Sequence, residues 1–206
     1  FAVNFEGLDL RPARISESSF EMGRFKKAVL SGASLRGCNL KNADFSEADL
    51  SKADLRGAQI QECTFADARM TEASLTGCRG LRPRFDRADL EKADLSGSSI
   101  RGAHLEGAIL RGANLTECEL REATVTGANA QGARFDRSRL PYGDLSHADL
   151  SGASFRGCDL TSANLHAAKE TGTDWTEATL AKARRTDADL LVAETWDPKE
   201  KPTWIS

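Results

Sequence analysis

The side chains able to carry chemistry in this 206-residue chain are five cysteines, three histidines and one arginine cluster. Cys38, Cys63, Cys78, Cys118 and Cys158 could bind a metal, exchange disulfides or supply a nucleophile if their spacing brought two or more within reach. His104, His147 and His166 are candidate bases or ligands. Arg79, Arg82, Arg84 and Arg87 crowd one short stretch and suit a phosphate or an acidic partner. None of these groups acts unless the fold holds it in place.

Those elements follow a five-residue rhythm. Of the 38 positions 5, 10, 15 and so on to 190, 34 hold Leu, Phe, Ile, Met, Val or Trp, which makes them one structural site; the exceptions are Gly80, Ala130, Glu170 and Arg185. Two residues before each, the chain is nearly always small, with Val3, Leu8 and Pro83 the departures. A period of five belongs neither to a helix nor to a strand. It is satisfied if the small and the large residue point inward around one outward residue, and the next two turn the chain through a corner. Of the 17 glycines, 14 fall on the second corner position, where freedom in φ helps most.

Longer-range recurrences set the number of sides. Phe5, Phe25, Phe45, Phe65 and Phe85 form a column with a period of 20, as do Gly37, Gly57, Gly77 and Gly97. Four sides per coil follow. Here the chain resembles the pentapeptide-repeat family, whose A(D/N)LXX motif reads Ala43-Asp44-Phe45, Ala48-Asp49-Leu50, Ala113-Asn114-Leu115 and Ala163-Asn164-Leu165. The resemblance covers essentially the whole chain. It implies an all-β, right-handed quadrilateral parallel β-helix, a solenoid of four pentapeptides per coil. At an inter-strand spacing of roughly 4.8 Å, nine to ten coils make a rod on the order of 45 to 50 Å long.

We expect residues 3–192 to form this β-helix and 193–206 a C-terminal cap or tail. No run is long enough to span a membrane, and no secretory h-region opens the chain. The repeat is in phase by Val3 and the first residue is Phe, so a fragment or processed form of a longer protein is expected.

Placed on this frame, the cysteines all occupy the small inward site, where they substitute for alanine. Four share one face two coils apart, roughly 9.6 Å, beyond disulfide reach. Free thiols in a reducing, cytoplasmic compartment are expected. His147 and His166 should be neighbours on adjacent coils with Asp144 close by, a weak metal site at most. No histidine accompanies a Ser or Cys in a nucleophile arrangement, and no phosphate-binding glycine loop exists. The chain reads as no enzyme, with no catalytic residue, metal or cofactor.

The family's best-known members resemble duplex DNA and protect or inhibit type II topoisomerases such as gyrase. That mimicry needs a continuous column of carboxylates. The nearest candidate here reads Asp9, Val29, Asp49, Arg69, Asp89, Ile109 and misses every second charge. Other columns alternate in sign, as in Lys52, Glu72, Lys92. The motif's Asp residues are better read as local turn and backbone partners. No direct contact with nucleic acid is expected.

Two breaks in the rhythm are the candidate interaction surfaces. Around Gly80 and Pro83, the arginines Arg79, Arg82, Arg84 and Arg87 flank a corner partly offset by Glu62 and Asp67, with Leu81 expected to turn inward in place of the missing core residue. At the C-terminus, Leu191, Trp196 and Trp204 are candidate cap residues, an end-to-end homodimer being the alternative. The leading reading is a bacterial, non-enzymatic protein-binding scaffold or adaptor module, part of a larger secretion-system or effector protein. A DNA-mimicking topoisomerase regulator is the alternative.

Overall fold

A chain that must bury one large and one small side chain in every five residues turns at each large one. In the computed structural model, which describes residues 3–195 apart from 12 and 14, the sides end in such turns, with Gly80 the exception inside the coil. At a typical corner the Ala28 N–H donates to the Phe25 carbonyl at 2.9 Å, and the intervening Lys27 has φ 58°. That positive φ recurs at the second corner position throughout, at all 14 corner glycines expected and also at residues such as Lys52 and Tyr142. An ordinary side chain pays of order 1 kcal/mol for it. The corner is held there because its own N–H is spent on the next coil, as Lys27 N–H on the Ser46 carbonyl at 3.0 Å.

Between corners, each outward residue forms a parallel bridge with the residue 20 positions on, from Asn4 with Arg24 to Asn164 with Arg184. The side is one residue wide on each ladder, so no longer strand forms. Residues 3–182 make nine coils of 20 residues. Asp or Asn before a large residue closes its own corner: the Asp44 carboxylate accepts the Ser46 N–H at 2.9 Å, Asp94 that of Ser96 at 3.0 Å and Asn114 that of Thr116 at 3.2 Å. This is the local role expected for the motif's carboxylates.

The large residues stack down the tube. Phe25, Phe45, Phe65 and Phe85 lie ring on ring at 4.5, 5.2 and 5.0 Å, with Phe5 joining at 5.1 Å. On the opposite face, Phe135, Phe155 and Trp175 continue at 4.6 Å per step. The two stacks occupy opposite ends of the rod. Most small inward sites hold Ala or a residue whose side chain can donate: the Cys78 thiol reaches the Leu55 carbonyl at 3.1 Å and the Ser98 hydroxyl the Leu75 carbonyl at 2.7 Å. Each lies 23 residues after its acceptor.

The repeat ends at the Asn164–Arg184 bridge, and a helix, α1, follows over Ala188–Thr195. Residues 188–192, which the rhythm assigned to the coil, are therefore helical. The Asp187 carboxylate accepts the N–H groups of Asp189 and Leu190, both at 3.0 Å, and so caps the helix start. Arg185 and Glu170, the charged residues at inward sites, pair with each other, and the Arg185 guanidinium lies 5.4 Å above the Trp175 ring. Leu191 sits half-buried in α1, while Trp196 and Trp204 lie outside the described residues. No helix among the described residues is long and apolar enough to cross a membrane.

Candidate functional site

The corner at Gly80 departs from all others for two covalent reasons. Pro83 has no N–H, so the turn's usual bond back to residue 80 cannot form. Gly80 has no side chain, and a Cβ there would lie 2.6 Å from the Gln61 backbone nitrogen. The coil has closed the gap with its backbone. Leu81 consequently does not turn inward as the rhythm suggested; it stays at the corner, 48% exposed. Pro83 fills the small inward site and is buried.

This geometry spreads the four arginines over two faces and pairs three of them. Arg82 reaches Glu62 at 3.0 Å, and Arg87 grips Asp67 through two bonds of 2.8 and 2.7 Å. The guanidinium of Arg87 holds the Asp67 carboxyl below its ordinary range. Arg84 donates to Asp86 at 2.9 Å. Arg79 forms no ion pair among the described residues and stands exposed on the fourth face, whose bridging residues run Ser19, Asn39, Gln59, Arg79, Ser99, Glu119.

Asp86 is buried, and its Oδ1 has no hydrogen-bond partner. Its carboxylate lies with His104 and Glu106 in a group whose donor atoms are within 4.8 Å of one another. Such a trio could take a cation, yet the Arg84 guanidinium already occupies the other oxygen. Sequence reasoning missed this trio because Asp86 occupies a first corner position, where most residues are at least partly open to solvent and burial leaves no mark in the rhythm.

His147 and His166 are neighbours as expected, with ring centroids 5.6 Å apart. Their acid is Glu194 from α1, at 3.4 and 3.2 Å, not Asp144, which instead binds the Ser146 N–H and the Asn164 amide. The Asp187 N–H donates to His166 Nδ1 at 3.1 Å, so in the neutral ring Nε2 carries the proton and donates to Glu194. The lone pair a metal would need at Nε2 is thus absent in the neutral ring. The trio fastens α1 to the flank of the rod.

All five cysteines are free and buried. Burial pushes the thiols of Cys63, Cys78 and Cys118 up to about 12, and that of Cys158 higher still. A thiolate nucleophile or ligand is not accessible at neutral pH.

Comparison with known proteins fits this architecture. Full-length QnrB1, a plasmid-mediated fluoroquinolone resistance protein, is 25% identical over 94% of this chain and 97% of its own, with a TM-score of 0.73. HetL, a pentapeptide repeat protein involved in heterocyst differentiation regulation from Nostoc sp. strain PCC 7120, is 29% identical over 90% of both chains with a TM-score of 0.43. No curated protein sequence matches the chain. The pentapeptide repeats profile matches in eight copies across residues 24–58, 48–79, 84–117, 118–157 and 158–190, stopping and restarting at the Gly80–Pro83 break. With that profile over most of its length and a bridge every 20 residues, the chain belongs to the pentapeptide repeat family.

Proposed function

We propose that this chain is a non-enzymatic, protein-binding rod whose partner is a type II topoisomerase, which it shields from fluoroquinolones. The observation that carries the reading is the end-to-end likeness to full-length QnrB1, which bears on length and shape together. Electrostatics taken alone favours an adaptor, and the bridge columns keep that as the second reading. Down one face, Asp49, Arg69 and Asp89 alternate, with Arg69 bound to Asp49 at 3.0 Å, so the surface lacks the unbroken negative charge of a duplex. A topoisomerase would therefore have to recognise the rod's shape and its breaks. Such a role belongs to the bacterial cytoplasm, or to a target cell if the chain is delivered as an effector.

The test is a gyrase supercoiling assay with ciprofloxacin, with and without the protein. Restored supercoiling at micromolar protein is expected. Unchanged drug inhibition, together with unchanged supercoiling in the absence of drug, would remove the topoisomerase reading and return the adaptor to first place.

A further inference from the structure

Around the Gly80 break, three cations on or beside the fourth face lack a carboxylate partner among the described residues. Most Lys and Arg side chains of the described residues are matched with a carboxylate on an adjacent coil or on their own, as in Arg137 with Glu117 and Arg87 with Asp67, with Arg36, Lys92, Lys169, Lys182 and Arg184 among the exceptions. Lys41, Arg79 and Arg101 form no ion pair among the described residues, although Glu21 stands one coil before Lys41 in the same column. The nearby acids Glu62, Glu119 and Glu122 are engaged by Arg82, Arg139 and Arg121. The side chains of Gln59, Gln61 and Ser99 likewise make no hydrogen bond within the described residues.

Lys41, Arg79 and the three polar side chains ring one recess, which Arg101 adjoins. Lys41, Gln59, Gln61, Arg79, Leu81 and Ser99 line it, with Gly80 as its floor and the side-chain-free corners of Gly57 and Gly77 along one margin. Leu81 supplies an exposed apolar edge. The corner column reads Lys41, Gln61, Leu81, Arg101: Lys41 lines the recess at one end, and Arg101 lines the adjoining hollow on the far side of Leu81, so the two cations stand three coil spacings apart, roughly 14 Å.

We propose that this recess binds an extended acidic segment of a partner protein, of the pattern acidic-x-apolar-x-acidic. In an extended chain, side chains on one edge recur about every 6.6 Å, so residues four apart span about 13 Å and match the two end cations. The central apolar side chain then meets Leu81 and the hollow over Gly80. Arg79 and the free amides and hydroxyl serve the segment's remaining oxygens, since guanidinium pairs carboxylate with two parallel bonds. A basic recess is the opposite of a DNA-like surface, so this inference goes beyond the topoisomerase reading and does not rest on it.

The experiment is fluorescence anisotropy with a labelled peptide carrying Asp-Ser-Leu-Ser-Asp and the full chain. Wild type should bind, and the exposed double substitution Arg79→Ser/Arg101→Ser should weaken binding by about a hundredfold, at about tenfold for each lost charge-assisted contact. Replacing the peptide's Leu with Gly should weaken binding with its charge unchanged. Unaltered melting of the double variant by circular dichroism shows that the fold survives. Equal binding by a scrambled peptide of the same composition, stronger binding of an oligonucleotide than of the peptide, or equal affinity of wild type and variant would each overturn the proposal. Gyrase protection by the double variant is read separately, so loss of peptide binding with protection intact separates the two readings.

Discussion

Cys78 and Ser98 stand one above the other, and so do Cys118 and Ser138, each pair donating to carbonyls of the preceding coils. The Ser98 and Ser138 hydroxyls also accept the N–H groups of Cys78 and Cys118, at 3.1 and 2.8 Å. At this site a thiol is a small hydrogen-bond donor, which explains why it alternates with serine and not with a charged ligand. A consequence follows for reactivity. Burial moves Cys63, Cys78 and Cys118 from an ordinary 9.0 to about 12, so their thiolate fraction at neutral pH falls by about a thousandfold. Maleimide labelling of the native chain should be slower than in denaturant by at least about that factor at these three positions. Prompt native labelling of Cys78, read by peptide mass mapping, would contradict the assigned packing.

Corners are the element that decides this fold, and the Gly80 corner is the one where it was misread. The rhythm of large residues made the coil and its four sides legible, because Phe and Gly columns with a period of 20 leave only one way to stack. Leu81 was assigned inward on the assumption that a vacant core site is filled by a neighbour's side chain. The backbone of Gly80 closed on Ile60 and Gln61 instead, a movement that leaves no mark in a pattern of residue sizes. We expect Gly80→Ala to destabilise by about 1–3 kcal/mol through overpacking against that backbone. Leu81→Ser should stay within about 0.5 kcal/mol, as an exposed position does. Urea melts of the two variants check both; a large loss for Leu81→Ser would restore it to the core. The Glu194 latch on His166 was equally illegible, since α1 lies beyond the last regular coil and no periodicity reports where a tail returns. The hand of the coil was not in the rhythm either; it came with the family resemblance.

At the scale of the molecule, the rod is a ladder of locally closed carboxylates. Asp54, Asp149, Asp159 and Asp174 are held below the ordinary carboxylate range by hydrogen bonds from Arg56, Ser151, Thr161 and Thr176 respectively. Asp9 is held at about 2 by Arg11. Each of these groups binds its proton more weakly folded than unfolded, so its contribution is present above its unfolded pKa, about 4, and is lost as pH falls through its lowered folded value. The melting temperature should therefore be level from neutral pH down to about 5 and decline steadily below about 4. A profile that rises on acidification would contradict this assignment of the corner carboxylates.

The coil's translational symmetry has a further consequence. A lattice that repeats every 20 residues presents a visiting molecule with nearly the same surface at many heights, so a ligand that read only the lattice would be distributed among registers. Confining it to one height takes a preference of about 1.4 kcal/mol for each factor of ten in occupancy. The notch at Gly80 breaks the symmetry once, near the middle of the lattice, and so acts as the zero mark on a ruler that otherwise has graduations and no numerals.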